Sequence, residues 1–325
     1  MKRREALAGI AALAFASRVA AQTPALKRVA YAVPGSPDPA NKGIAAFKGR
    51  LAELGWVEGR TIEYVFGYDY GESSRHEKQV ADLLAQKPAV LLAVFASMAM
   101  VAKKQTSDVP IVFAISSNPE KFGLVATLAR PGGNVTGVST RELELLGKRV
   151  ELLHELVPRL QRVAVLTNPL SPEISKLYIT GYAAQAAKLG IKLIVSEARS
   201  AAEIGPAFDR MAREGAQGVL NVADPLHLQS REELARHAAR LRLPAVYVID
   251  EFVEAGGLLS FGTDRLEQLR RAAGHVDKIL RGANPAMLPV EEPTRFVLAL
   301  NLKAAKAQGI AIPQSILLRA DRVIE

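Results

Sequence analysis

The chain has no cysteine among its 325 residues. That excludes disulfides, zinc–thiolate and iron–sulfur sites, a thiol nucleophile and a lipidated cysteine anchor. Histidine is sparse. The five residues, at positions 76, 154, 227, 237 and 275, include no pair at the close helical spacing of a metal site, so neither a metal nor a cofactor is expected. Aromatic residues are only 6%. None interleaves with a basic run, so a nucleic-acid partner is not expected either. The chain lacks a G-x-S-x-G nucleophile elbow and a G-x-x-x-x-G-K-[ST] phosphate loop. No Ser/His/Asp set stands out, and no catalytic residue is assigned. His227, alone near Asp224, reads as a surface or cap residue rather than a base. Beyond the N-terminus no apolar run approaches the roughly 20 residues that a membrane-spanning helix needs.

What is present is an ordinary globular balance, 49% hydrophobic and 23% charged, with a net charge of +9. The length suggests about two domains. Part of the charge belongs to residues 1–21. Lys2, Arg3 and Arg4 open the chain, an apolar stretch runs from Ala6 to Ala16, and Val19-Ala20-Ala21 supplies small residues where a signal peptidase reads. This reads as a secretory signal peptide, exported by the Sec or the twin-arginine route to the periplasm. Its removal takes away +3 and leaves +6, spread over helix faces such as Lys103-Lys104, Arg236, Arg240 and Arg270-Arg271.

From residue 28 onward, short apolar runs alternate with helical periodicity. Arg28–Val33, Thr61–Phe66, Val90–Phe95, Pro110–Ile115 and Asn134–Ser139 read as strands, and Val90–Phe95 is a continuous run suited to a central parallel strand. Helices are predicted over Asn41–Gly55, Ser73–Gln86, Ser97–Ser107 and Glu142–Val157. A second set of strands covers Arg162–Thr167, Ile191–Ser196, Gly218–Val222, Ala245–Ile249 and Gly257–Phe261. Its helices cover Pro172–Leu189, Ala201–Glu214, Leu226–Leu241 and Leu266–Gly282. The alternation predicts an α/β protein with two doubly wound parallel-sheet lobes. An eight-unit barrel has a similar count. It fits less well, because residues 134–141 and 285–293 read as crossovers between lobes.

Open parallel sheets bind ligands beyond the carboxyl ends of their strands, where helix N-termini offer free N–H groups. Those ends nominate Ser36, Asp38, Ala96, Ser97, Ser117, Asn118, Thr140, Asn168, Asp224, Asp250, Glu251 and Thr263 as ligand-binding residues. Hydroxyls and helix N-termini suit a carboxylate, and Asp224, Asp250 or Glu251 could hold an ammonium group. The plainer role for such residues is helix capping, and Ser97 is placed to cap the helix that follows it.

Two stretches carry a family likeness. One runs from Asp108-Val109-Pro110 through Asn118-Pro119 and Gly123-Leu124-Val125 to Arg130-Pro131-Gly132-Gly133-Asn134-Val135-Thr136-Gly137. The other runs from Glu251-Phe252-Val253-Glu254-Ala255-Gly256-Gly257 to Gly262, and on through Leu288-Pro289-Val290-Glu291-Glu292-Pro293 to Arg319-Ala320-Asp321. They resemble the ABC-transporter substrate-binding protein family that includes the tryptophan-binding TrpX-like proteins. The resemblance implies a type I periplasmic binding protein fold with a three-crossover hinge. The first lobe would take residues 22–139 plus 264–288, and the second 140–263 plus 289–325. It also implies a monomeric receptor that captures a small-molecule ligand, with an aromatic amino acid as a candidate, and delivers it to an inner-membrane ABC permease. At the cleft the likeness breaks. Ser97-Met98, Asn118-Pro119-Glu120 and Asp224-Pro225 stand where the family tends to carry Thr-Pro, Asp-Pro-Val and Asp-Asn. The rival readings are a ligand-sensing module for a membrane receptor and a periplasmic α/β enzyme.

Overall fold

The computed structural model describes residues 26–325; the expected leader at 1–21 lies outside them. Five strands, β1 (Lys27–Val33), β2 (Ile62–Tyr68), β3 (Val90–Phe95), β4 (Ile111–Ser116) and β5 (Val135–Ser139), form one parallel sheet in the order β2-β1-β3-β4-β5. They alternate with helices α1 (Lys42–Glu53), α2 (His76–Ala85) and α3 (Ala96–Gln105). Every residue of β3 and β4 is buried, because helices cover both faces of the sheet.

The chain then enters α4 (Leu146–Leu156) and builds a second sheet. Its strands are β6 (Arg162–Thr167), β7 (Lys192–Glu197), β8 (Val219–Asn221), β9 (Ala245–Tyr247), β10 (Leu259–Gly262), β11 (Val297–Asn301) and β12 (Arg322–Ile324), in the order β12-β11-β10-β9-β8-β6-β7. Only the β10–β11 pairing is antiparallel. The intervening helices are α5 (Pro172–Lys188), α6 (Ala201–Arg213), α7 (Pro225–Gln229), α8 (Arg231–Arg240), α9 (Glu251–Glu254), α10 (Arg265–Leu280), α11 (Leu302–Gln308) and α12 (Gln314–Leu317). Two open sheets exclude the barrel. The helix predicted over Leu226–Leu241 is two helices, interrupted at Ser230. The strands and helices after residue 297 carry no sequence assignment. Among the described residues no helix is long and apolar enough to cross a membrane.

The chain passes between the sheets three times. After β5 it leaves the first sheet. After β10 it returns, and α10 packs on α1 and on β3, β4 and β5. It then crosses again to β11. The passages are stitched to one another: Ser139 N–H donates to Glu291 O at 2.8 Å, and Glu291 N–H to Gly137 O at 3.0 Å. Gly262 sits where β10 meets the second passage. A Cβ there would lie 1.8 Å from Val248 O, so only glycine fits.

Beneath these passages lies a buried ion pair. Arg149 on α4 is fully buried, its Nε donates to Phe261 O at 2.7 Å, and its Nη2 binds Glu142. Burial would lower the Arg149 pKa, but the Glu142 carboxylate together with Tyr182 and Tyr178 outweighs that and holds it above the ordinary value. Burial in turn pushes the Glu142 carboxyl up, against the pull of Arg149.

Candidate functional site

The carboxyl ends of the two sheets face each other across a cleft. The ends of β3 and β4 bring Phe95 and Ile115 opposite Val222, Ala223, Leu228 and Ile249 of the second lobe. Two small enclosed spaces flank this apolar contact, each about 10 Å³, room for a single water. One is lined by Asp224, Thr263, Glu142 and Arg265 beside the apolar side chains, the other by Ala96, Ser117, Thr140, Ile174 and Tyr178. Wider spaces open at either end. A mouth of about 670 Å³ carries Ser36, Asp38, Lys42, Gln229, Glu251 and Arg265; another of about 250 Å³ carries Ser73, His76, Ser97, Lys104 and Glu173.

Direct contacts hold the lobes together. Lys42 Nζ meets Glu254 Oε2 at 2.8 Å, Arg265 Nε donates to Glu251 Oε1 at 2.5 Å, and Asn168 Nδ2 donates to Ser73 Oγ at 3.2 Å. The Gln229 side chain closes over Gly35 and Gly71. Gly35 has φ +89°, and a Cβ there would lie 1.9 Å from Gln229 Oε1. Asp69 fixes both glycines by accepting from their N–H groups at 2.6 and 2.8 Å, and its other oxygen meets His76 Nε2 at 3.0 Å. The lobes are therefore in direct contact along the cleft, and neither enclosed space holds more than a single water.

The nominated residues fall into distinct places. Asp224 and Thr263 line one enclosed space, and Ala96, Ser117 and Thr140 the other; Ser36, Asp38 and Glu251 line the large mouth and Ser97 the small one. Asn118, Asn168 and Asp250 line none of these four. Asn118 Oδ1 accepts from Lys121 N–H at 3.1 Å. Asn168 instead braces Asp224, its Nδ2 lying 3.2 Å from Oδ1. Asp250 is bound to Arg322. Burial and the adjacent Glu251 raise its pKa, partly offset by Arg322. Ser97 is not the cap of α3. That place falls to Phe95, and Ser97 lies inside the first turn with its hydroxyl buried and unpartnered.

Asp224 does cap α7, accepting from Leu226 N–H at 2.8 Å. It is 3% exposed, its carboxylate accepts from Asn168 Nδ2 and Leu226 N–H, and among the described residues it forms no ion pair. A buried carboxylate held by neutral donors is an attractive seat for a cation. Tyr178, Phe95, Ile115 and the Arg149–Glu142 pair were not visible as site residues. In sequence they are ordinary members of strands and helices.

His227 corrects the surface reading. It is fully buried, with Nδ1 3.2 Å from Val222 O and Nε2 unpartnered. Burial lowers its pKa from the ordinary 6.5, against the pull of Asp224. The unfolded chain therefore takes up the proton first. The stability contribution is intact above about pH 6.5 and is lost as pH falls below it, by up to about 1.4 kcal/mol per pH unit. Urea melts of wild type and H227Q between pH 7.5 and 5.5 should show the wild type losing more stability than the variant on acidification. Parallel losses would contradict this.

Two α/β lobes closed over a buried cleft define a ligand-capturing protein of the two-lobed type. The family model described as ABC transporter substrate binding protein matches residues 28–324, and the chain belongs to that family. It is a family of substrate-binding proteins rather than enzymes. A tyrosine-binding protein of Clostridioides difficile (strain R20291) is 25% identical over 272 residues, covering 83% of this chain and 76% of the relative. A conserved domain protein from Vibrio cholerae superposes with TM-score 0.83 at 26% identity, covering 91% and 99% of the two chains. The ABC domain in complex with L-Trp from Streptococcus pneumonia shares the fold, with TM-score 0.82, 24% identity and coverage of 92% and 100%. The type I periplasmic binding fold and the solute-receptor role expected from sequence thus hold.

Proposed function

We propose that this protein is a periplasmic receptor that captures an amino acid between its lobes and hands it to an inner-membrane ABC permease, acting as a monomer and performing no chemistry. Residues 1–21 are the export signal. The lobes hinge as 22–139 plus 264–288 against 140–263 plus 289–325. The observation that carries the amino-acid reading is Asp224, a buried carboxylate without an ion-pair partner of its own, lining an interlobe space of mostly apolar side chains in which Arg265 is already paired with Glu251. Asp224 supplies the seat for an α-ammonium group. Thr263 and Arg265, which line the same space as Asp224, supply donors for the α-carboxylate. The relative described as tyrosine-binding supports the same ligand class.

Ligand bound only to the closed form shifts the lobes toward closure and stabilises the folded chain. A thermal-shift screen of the mature protein against L-amino acids, sugars, nucleobases and organic acids tests this. An amino acid at about 100 times its Kd should add about 2.7 kcal/mol of stability. A sugar or organic acid that shifts the midpoint while no amino acid does, or a compound that is turned over, would overturn the reading.

A further inference from the structure

The second enclosed space holds two polar groups with no visible task. Tyr178, on the inner face of α5, is 1% exposed, and so is Thr140. The phenol Oη of Tyr178 and Oγ1 of Thr140 are both buried without a hydrogen-bond partner. Both residues line the same space, together with Phe95, Ile115, Phe122 and Ile174. Leaving two hydroxyls unsatisfied side by side is costly, about 1–3 kcal/mol each, and such groups usually mark something that completes them. Burial holds the Tyr178 phenol far above its usual pKa, with Arg149 and the nearby Ser117 hydroxyl pulling only partly against it, so it stays neutral and can both donate and accept.

The placement has a direction. Asp224 lies on one side of the Phe95–Ile115–Ala223 contact and the two hydroxyls on the other. A molecule filling both spaces would put a cationic head on Asp224, an apolar body against Phe95 and Ile115, and its far end at Tyr178 and Thr140. A charged far end is disfavoured there. No charged side chain lines that space, and the Glu142–Arg149 pair that acts on Tyr178 carries opposite charges that offset each other. We infer that Tyr178 and Thr140 form a specificity subsite that reads a neutral hydrogen-bonding group, such as a phenol hydroxyl, at the distal end of the ligand's side chain. This rests on the amino-acid reading above.

L-Tyrosine and L-phenylalanine differ by that one hydroxyl, and their affinity ratio isolates the subsite. By calorimetry, wild type should bind L-tyrosine about 10–100-fold tighter than L-phenylalanine, because the analogue leaves both hydroxyls unpaired. In Y178F the ratio should fall to within about threefold of one. T140V, which keeps the Tyr178 phenol, should give an intermediate ratio. Far-UV circular dichroism confirms that each variant is folded. A wild-type ratio near one, or a ratio unchanged in Y178F, overturns the inference, the latter meaning that the hydroxyls hold an ordered water only. In either case the amino-acid reading stands. If wild type binds neither compound and no other amino acid shifts its melting point, the amino-acid reading falls and takes the subsite with it.

Discussion

Arg149→Met is expected to cost about 3–5 kcal/mol of folding stability, the largest effect of any single substitution considered for this chain. The guanidinium is fully buried between Glu142 and the Phe261 carbonyl. Removing it strands the Glu142 carboxylate, 2% exposed, without a countercharge. That carboxylate must then take up a proton or draw in water. It also frees the Phe261 carbonyl beside the second passage between the lobes. Removing both charges in R149M/E142M should recover a large part of the loss, because an apolar pair of similar volume avoids the desolvation cost. Urea denaturation midpoints of the two variants decide the matter. A loss below about 1 kcal/mol in R149M would mean that the pair is dispensable.

Asp224→Asn should leave the fold standing and abolish tight ligand capture. Asparagine is as good an N-cap as aspartate, so the bond from Leu226 N–H survives and stability should change by less than about 1 kcal/mol. What disappears is the negative charge. A charge-assisted hydrogen bond to a buried ammonium contributes about 1.5–3 kcal/mol, and a stranded ligand charge adds to the loss. Affinity for the amino acid that gives the largest thermal shift should therefore fall about 30–100-fold, each 1.4 kcal/mol being tenfold. Calorimetry on D224N beside wild type reads this directly. An affinity within about threefold of wild type would move the ammonium seat elsewhere.

The elements legible in sequence were those whose burial is uniform or whose ends carry a local signal. Val90–Phe95 was read to the residue because a central parallel strand is apolar at every position. Asp224 was readable because its side chain caps the helix that follows it, whereas Asn41, read as the first helical residue, is the cap of α1. The break at Ser230 was hidden because apolar spacing continues through Leu226, Leu234 and Ala238, all buried. Ser97 looked like a cap, but the helix begins one residue earlier. The strands β11 and β12 depend on long-range pairing with β10 and with each other, which local pattern does not reveal.

The site was half legible for the same reason. Strand ends located Asp224, Thr140 and Ser117, because topology alone places them at the cleft. Tyr178 looked like a helix core residue, and only its unpartnered hydroxyl sets it apart. Arg149 did leave a trace. It sits three residues after Leu146 and one before Val150, on the buried stripe of α4, where a charge has no business without a partner.

Capture by hinge closure is directly measurable, because the chain contains no cysteine. Lys78 on α2 and Lys176 on α5 are exposed and lie on opposite lobes. Spin labels on K78C/K176C go to those two sites alone. The distance distribution should be broad without ligand and collapse to its shorter component when a saturating mixture of common L-amino acids is added. The same labels on D224N should show no such collapse. A distribution that does not respond to the mixture in the wild-type background would rule out amino-acid capture by hinge closure.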